Sequence, residues 1–490
     1  MKRYVSILLA IVYGAFPLFA QDKAAEIDKL MQSYYDYGKF NGAVLVAESG
    51  KVIFKKGYGL ANMEWNIPNE TDTKFRIASI TKQFTSMLIM QLVEEGKVKM
   101  DGKITDYIPD YRKDIGEQVT IHHLLTHTSG IPEYWGLLDF LGDLLRDPYV
   151  DYLRDPYSVD EFVKKYCSGD LEFEPGSKYS YNNSGYYLSG AIIEKVTGKT
   201  YEECLKEKIL DPIGMKNSGY DHHKSILMNR ASGYVRTFDG YNNEVYADMT
   251  IPYAAGSMYS TVEDLYLWDQ ALYSEELLSK EYKDIMFTPY LNNYAYGWWV
   301  VKMPIIESKD SIKVVIHNGW IFGFRSLISR LVDDKHLIIL VDNADGSNEM
   351  TEGIVNILYG KPYDMPKKDI TEILYKTISK KDVASAKKQY YEFKDMYPDD
   401  YDYGKEEING LGVRLRDAGM FDEAIEIYKW IIEIDPDWFE GYNGIADVYR
   451  MKGDKALAIK YYAKSLEMNP ERWYAISISE MLKVLTEEDK

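Results

Sequence analysis

Residues 76–84, RIASITKQF, place a serine and a lysine three apart, Ser79 and Lys82, at the head of a long apolar run. The same Ser-x-x-Lys spacing recurs at Ser385 and Lys388, so spacing alone decides nothing. Surroundings separate the two. Residues 80–95 contain neither Pro nor Gly, are apolar at Ile80, Phe84, Met87, Leu88 and Leu92, and stop at Gly96. That periodicity predicts a helix. Ile89 and Met90 widen its apolar stripe, so it is expected to be buried on most sides, with Ser79 at its first turn. Ser385 and Lys388 instead fall in a repeat helix and read as a solvated face.

A serine hydroxyl is a poor nucleophile until a base takes its proton. A lysine one turn further on shares its helix face. It becomes a base only where burial or neighbouring positive charge lowers its pKa. The helix N-terminus adds oriented N–H groups and partial positive charge suited to an acyl oxyanion. A second proton-handling group is offered by KYSYNNSGYYLSGAIIEKVTG (178–198), which holds Tyr181 and Asn183. A third element, HNGWIFGF (317–324), ends an apolar strand with His317 and Gly319, where Gly admits close backbone contact.

Strand signals stand at both ends of this region. GAVLVAE (42–48) and KVIFKKGYG (51–59) flank Ser49-Gly50, a hairpin signal. YGWWVVKM (296–303), IKVVIHNG (312–319), FRSLISRLV (324–332) and HLIILVDNA (336–344) follow a helix-leaning insert, and a helix over 347–360 closes the region. These strands are too close in sequence for helical crossovers, which predicts one antiparallel sheet assembled from both ends. Past residue 375 the character changes. Gly419 and Gly453, Ala424 and Ala458, Tyr428 and Tyr462, Pro436 and Pro470 are each 34 residues apart, and Ala386, Tyr390 and Pro398 repeat the pattern more weakly upstream. These residues resemble tetratricopeptide repeats, which stack helix pairs across small Ala positions.

Composition bounds the partners. A formal net charge of −19 argues against nucleic acid, whose phosphates need clustered Lys and Arg. MKRYVSILLAIVYGAFPLFA (1–20) has a basic start and an apolar run, the pattern of a secretory signal peptide, so a periplasmic or secreted protein is expected. No later stretch is long and apolar enough to predict a membrane span. Cys167 and Cys204 fit a disulfide or two buried thiols equally well. His122, His123 and His127 lack the Glu of a His-Glu-x-x-His zinc site, so neither metal nor cofactor is expected.

Ser79-Ile80-Thr81-Lys82, Tyr181-Asn182-Asn183 and His317-Asn318-Gly319, in that order, resemble the three motifs of the serine penicillin-recognising family, closest to class C β-lactamases and related DD-peptidases and esterases. LVEEGKVKMDGKITDYIPDY (92–111), TIHHLLTHTSGIPEY (120–134) and EPGSKYSYNNSGYYLSG (174–190) extend the resemblance. It implies an α/β (α+β) hydrolase domain over 25–362, an antiparallel sheet flanked by helices, followed by an all-α repeat domain over 375–490. It also implies Ser79 as acylated nucleophile, Lys82 as its base and Tyr181 as proton shuttle. Asn183 and His317 would contact substrate, His317 in place of the family's usual lysine. Backbone N–H groups of Ser79 and Trp320 would form the oxyanion hole, with the Trp320 side chain narrowing the acyl pocket. The expected substrate is a small molecule or peptidoglycan-like peptide: a D-amino-acid-type amide, ester or β-lactam. The alternative is a non-catalytic sensor whose repeats bind a protein partner.

Overall fold

Ser49 and Gly50 both hold positive φ, 49° and 74°, the backbone of a two-residue turn whose twist matches its strands. It joins β1 (Gly42–Glu48) to β2 (Lys51–Gly57). The chain, as a computed structural model, is described over residues 23–135, 153–238, 240–304, 311–344, 346, 348–468, 470 and 472–487. The leader read over 1–20 lies outside the described residues.

Four more strands complete the sheet: β3 (Trp299–Pro304), β4 (Ser311–Ile321), β5 (Phe324–Leu331) and β6 (His336–Asp342). Their order is β3-β4-β5-β6-β1-β2, and every neighbouring pair is antiparallel. The two ends of the domain meet where Gly42 faces Asp342 and Ala47 faces Leu337. Both strands of that seam are covered on either face, so they read as continuous apolar runs rather than alternating ones. β3 begins at Trp299, later than its apolar run, because Gly297 turns with φ 80° against the backbone of Gln83.

Helices α1 (Thr81–Glu94), α2 (Asn183–Thr197), α3 (Val262–Ala271) and α4 (Met350–Leu358) matter most for the site. On one sheet face, Ile27, Leu30 and Met31 of the helix over 23–36 join Met350, Ile354 and Leu358 of α4 over Val44, Val46, Ile338 and Leu340. α3 packs on β1 and β6. α1 is buried at every residue from Thr81 to Leu92 and ends at Gly96, φ 70°. Phe84 stacks on Trp268 of α3 at 4.2 Å. Cys167 and Cys204 are separate buried thiols.

A second compact unit takes in Lys367–Lys490. It is built of α5 (Thr371–Lys380), α6 (Val383–Met396), α7 (Lys405–Asp417), α8 (Phe421–Ile434), α9 (Phe439–Lys452), α10 (Lys455–Glu467) and α11 (Arg472–Glu487). α5 starts at Thr371 because the Asp369 carboxylate accepts its amide at 2.7 Å. Ala386, Ala424 and Ala458 occupy equivalent, fully buried places on α6, α8 and α10, with Tyr390, Tyr428 and Tyr462 one turn on. Gly412 and Gly444 pack against the Tyr428 ring so closely that a Cβ would fall 2.7 and 2.3 Å from it. Gly419 and Gly453 take positive φ where α7 and α9 turn back.

Candidate active site

Ser79 lies in a single 3₁₀ turn, Ala78–Ile80, that runs straight into α1. Ala78 holds φ 47°, a left-handed backbone costly for any residue with a Cβ. One turn further, Lys82 has no exposed surface, because the helix carrying it is buried all round. Its Nζ donates to Ser79 Oγ at 2.9 Å, to Asn183 Oδ1 at 2.7 Å and to the Ala255 carbonyl at 2.9 Å. It also lies 4.9 Å from the Tyr181 ring centre. Burial pushes its pKa well below the ordinary lysine value, and only the Glu133 carboxylate pulls the other way. The contact with Ser79 is therefore open to either proton position.

Tyr-Asn-Asn divides three tasks at the start of α2. Asn182 caps the helix, accepting the Gly185 amide at 2.7 Å and donating to Ile131 at 2.8 Å. Asn183 turns inward to Lys82. Tyr181 lies beside Ser79, and desolvation raises its pKa, so its hydroxyl stays protonated. Its ring is held between Trp299, stacked at 5.8 Å, and His127 at 4.2 Å. Ser79, Tyr181 and Asn183 each keep some exposure while Lys82 keeps none, so the nucleophile is reachable and its base is not.

β4 brings the third motif. His317 is buried, at 1% exposure, and both ring nitrogens are engaged. Nδ1 donates to the Asn318 carbonyl at 2.6 Å and Nε2 accepts from the Tyr294 hydroxyl at 3.0 Å. Burial and the nearby Lys82 push its pKa down to about 3, so the ring is neutral. Gly319 is required by packing: a Cβ there would lie 2.4 Å from the Ile77 carbonyl and 3.0 Å from Ala78 Cβ. Phe322 and Gly323 form a two-residue turn, so Ile321 and Phe324 exchange hydrogen bonds. Counting back, the Trp320 N–H turns away from β5 to the β4 edge, which β3 covers only as far as Ile316. Alternation sends the Trp320 side chain, 53% exposed, to the sheet face opposite His317 and Gly319. The Trp320 ring lies 5.9 Å from that of Phe322, which in turn lies 5.7 Å from that of Trp135.

The structure joins Ser79, Lys82 and Asn183 by direct hydrogen bonds and sets the Tyr181 ring over Lys82, with the His317 ring 6.3 Å from that of Tyr181. Three contributors escaped the sequence. Glu133 accepts from the Asn183 amide, from Asn183 Nδ2 at 3.0 Å and from the Trp135 amide at 3.1 Å. His127 accepts the Asn182 amide at 2.9 Å behind Tyr181. Ala255 supplies a carbonyl to Lys82. Glu133 had a signal, a lone charge inside the apolar GIPEYWGLL (130–138). The three histidines diverge: His122 bonds Tyr296, His123 accepts from the Thr120 amide and His127 accepts from Asn182.

The β-lactamase family model matches residues 25–354, and a tetratricopeptide-repeat model matches residues 439–472. Penicillin-binding protein 4* of Bacillus subtilis is 31% identical over 71% of this chain and 79% of its own. Teichoic acid D-alanine hydrolase of Staphylococcus aureus is 27% identical over 70% of this chain and 80% of its own. The crystal structure of a penicillin-binding protein from Bacillus halodurans superposes with a TM-score of 0.57 at 30% identity, covering 68% of this chain and 98% of that one. With its sheet order, its ordered motifs and two thirds of its length matched, the chain belongs to the β-lactamase family, as a serine hydrolase of the β-lactamase and DD-peptidase type that carries C-terminal tetratricopeptide repeats.

Proposed function

We propose that this protein is an exported hydrolase that forms an acyl-enzyme at Ser79 with a D-amino-acid-type ester or amide that carries no free carboxylate. One observation carries the reading: a wholly buried Lys82 nitrogen 2.9 Å from Ser79 Oγ, in a setting that disfavours its charge. Neutral Lys82 takes the Ser79 proton as Oγ bonds to the substrate carbonyl carbon. The oxyanion so formed is met by the Ser79 and Trp320 backbone N–H groups. As the tetrahedral adduct collapses, the bond to the leaving alcohol or amine breaks. The leaving group takes the Tyr181 hydroxyl proton, and the Lys82 ammonium restores it. Water then attacks the acyl-enzyme, loses its proton to the same pair and releases the acid, returning Ser79 to its hydroxyl form.

The neutral His317 supports the choice of substrate. In place of a permanent cation, this strand offers an imidazole with both nitrogens already bonded, which gives a substrate carboxylate no charge to pair with. A relative named for hydrolysing D-alanine from teichoic acid supports a D-aminoacyl ester over a β-lactam. The leader over 1–20 supports export, and no helix among the described residues is long and apolar enough to cross a membrane. The repeats support a protein partner.

Labelling with a fluorescent fluorophosphonate and a fluorescent penicillin tests this. The expected result is Ser79-dependent adduct with the fluorophosphonate and weak or absent adduct with the penicillin. Equal labelling of wild type and Ser79→Ala sinks the acyl-enzyme; strong penicillin labelling sinks the substrate assignment.

A further inference from the structure

Glu133 performs none of the steps above, yet it touches the machinery at two points, both on Asn183. Its carboxylate accepts both the backbone and side-chain N–H groups of Asn183, and the Trp135 amide fixes it in turn. An asparagine amide presents an acceptor on one side and donors on the other. With Nδ2 committed to Glu133, Asn183 has one way to face Lys82, through Oδ1 at 2.7 Å. A flipped amide would set N–H groups against the lysine nitrogen and leave the carboxylate without that donor.

The charges around Lys82 point the same way. It is faced by the Ser79 hydroxyl, the Asn183 amide, the Ala255 carbonyl, the rings of Tyr181 and Tyr186, and the imidazoles of His127 and His317. Burial keeps both imidazoles and both phenols neutral. Glu133 is the group among these neighbours that can carry negative charge.

We propose that Glu133 is a positioning residue for acylation: it locks the Asn183 amide with Oδ1 toward Lys82 and sets a negative charge beside that lysine. The inference rests on Lys82 being the base for Ser79. Glu133 therefore sets the pH at which the site switches on. An anion beside an ammonium favours the ammonium, so a neutral residue at 133 frees the base at lower pH.

The test is the rate of Ser79 labelling by fluorophosphonate across pH 5–10 in wild type, Glu133→Gln and Glu133→Asp. In Glu133→Gln the acid limb is expected to move down by about one pH unit, and the alkaline plateau to fall about tenfold or more as Asn183 loses its fixed orientation. Glu133→Asp keeps the charge, so its acid limb stays with wild type while its plateau drops. An unmoved acid limb in Glu133→Gln overturns the proposal, because a merely structural carboxylate lowers the plateau without moving the limb. Should Glu133→Gln fail to fold, Glu133→Asp decides alone: an acid limb displaced from wild type overturns it. Failure of the underlying reading looks different, since wild type itself would then show no acid limb, or would label independently of Ser79.

Discussion

Two helices of this chain carry Ser-x-x-Lys and share little else. At the head of α1, Lys82 is shut away from solvent with all its bonds made to Ser79, Asn183 and Ala255. In α6, the amide of Ser385 is capped by Asp382 at 2.7 Å, and Lys388, its side chain 79% exposed, reaches Glu392 one turn on at 3.5 Å. Water solvates the second ammonium and keeps it charged, whereas the first loses that solvation and becomes a base. The motif supplies reach, and the surroundings supply chemistry.

The largest contrast is expected at the serines. Ser79→Ala should lower fluorophosphonate labelling and aryl-ester hydrolysis by more than about 10³-fold, whereas Ser385→Ala should leave both near wild type; equal losses would erase the distinction. At the lysines, Lys82→Ala is expected to slow acylation by about 10²–10⁴-fold, with no change for Lys388→Ala. In wild type only neutral Lys82 accepts a proton, so stopped-flow acylation should rise with pH through a midpoint below the ordinary lysine value. A flat profile would remove Lys82 as base.

Structural effects come next. Tyr428→Ala empties a ring packed against Gly412 and Gly444, and should cost the repeats about 3–5 kcal/mol in a urea melt while Ser79 labelling persists. Loss of labelling would tie the two helices together after all. The smallest effect concerns acid. His317 has its folded pKa depressed to about 3, so the folded state favours neutral imidazole and its contribution is intact above the unfolded value near 6.5. That contribution is lost as pH falls from there toward 3, by about 2 kcal/mol between pH 6.5 and 5. His317→Asn should remove that share of acid sensitivity from thermal melts, and an unchanged slope would show that His317 is not the group responsible.

Local signals made the hairpin, α1 and the 34-residue repeat legible, because each follows from spacing within one segment, and strand spacing predicted an antiparallel sheet drawn from both ends without giving its order. What was not legible depends on chain returning from far away. Glu133 acquires meaning only when residue 183 folds onto it, fifty residues later. His127 offers one imidazole among three in sequence, and only its seat behind Tyr181 distinguishes it.

Gly319 has a consequence for how such a site diversifies. With a Cβ excluded by the Ile77 carbonyl and Ser326 Oγ bonded to that same carbonyl at 2.7 Å, the sheet is laid directly on the nucleophile turn. One wall is therefore rigid and intolerant of substitution. Adaptation to a larger or differently shaped acyl group must come through parts of the cleft other than this turn and the end of β4, while the serine stays registered to its strand.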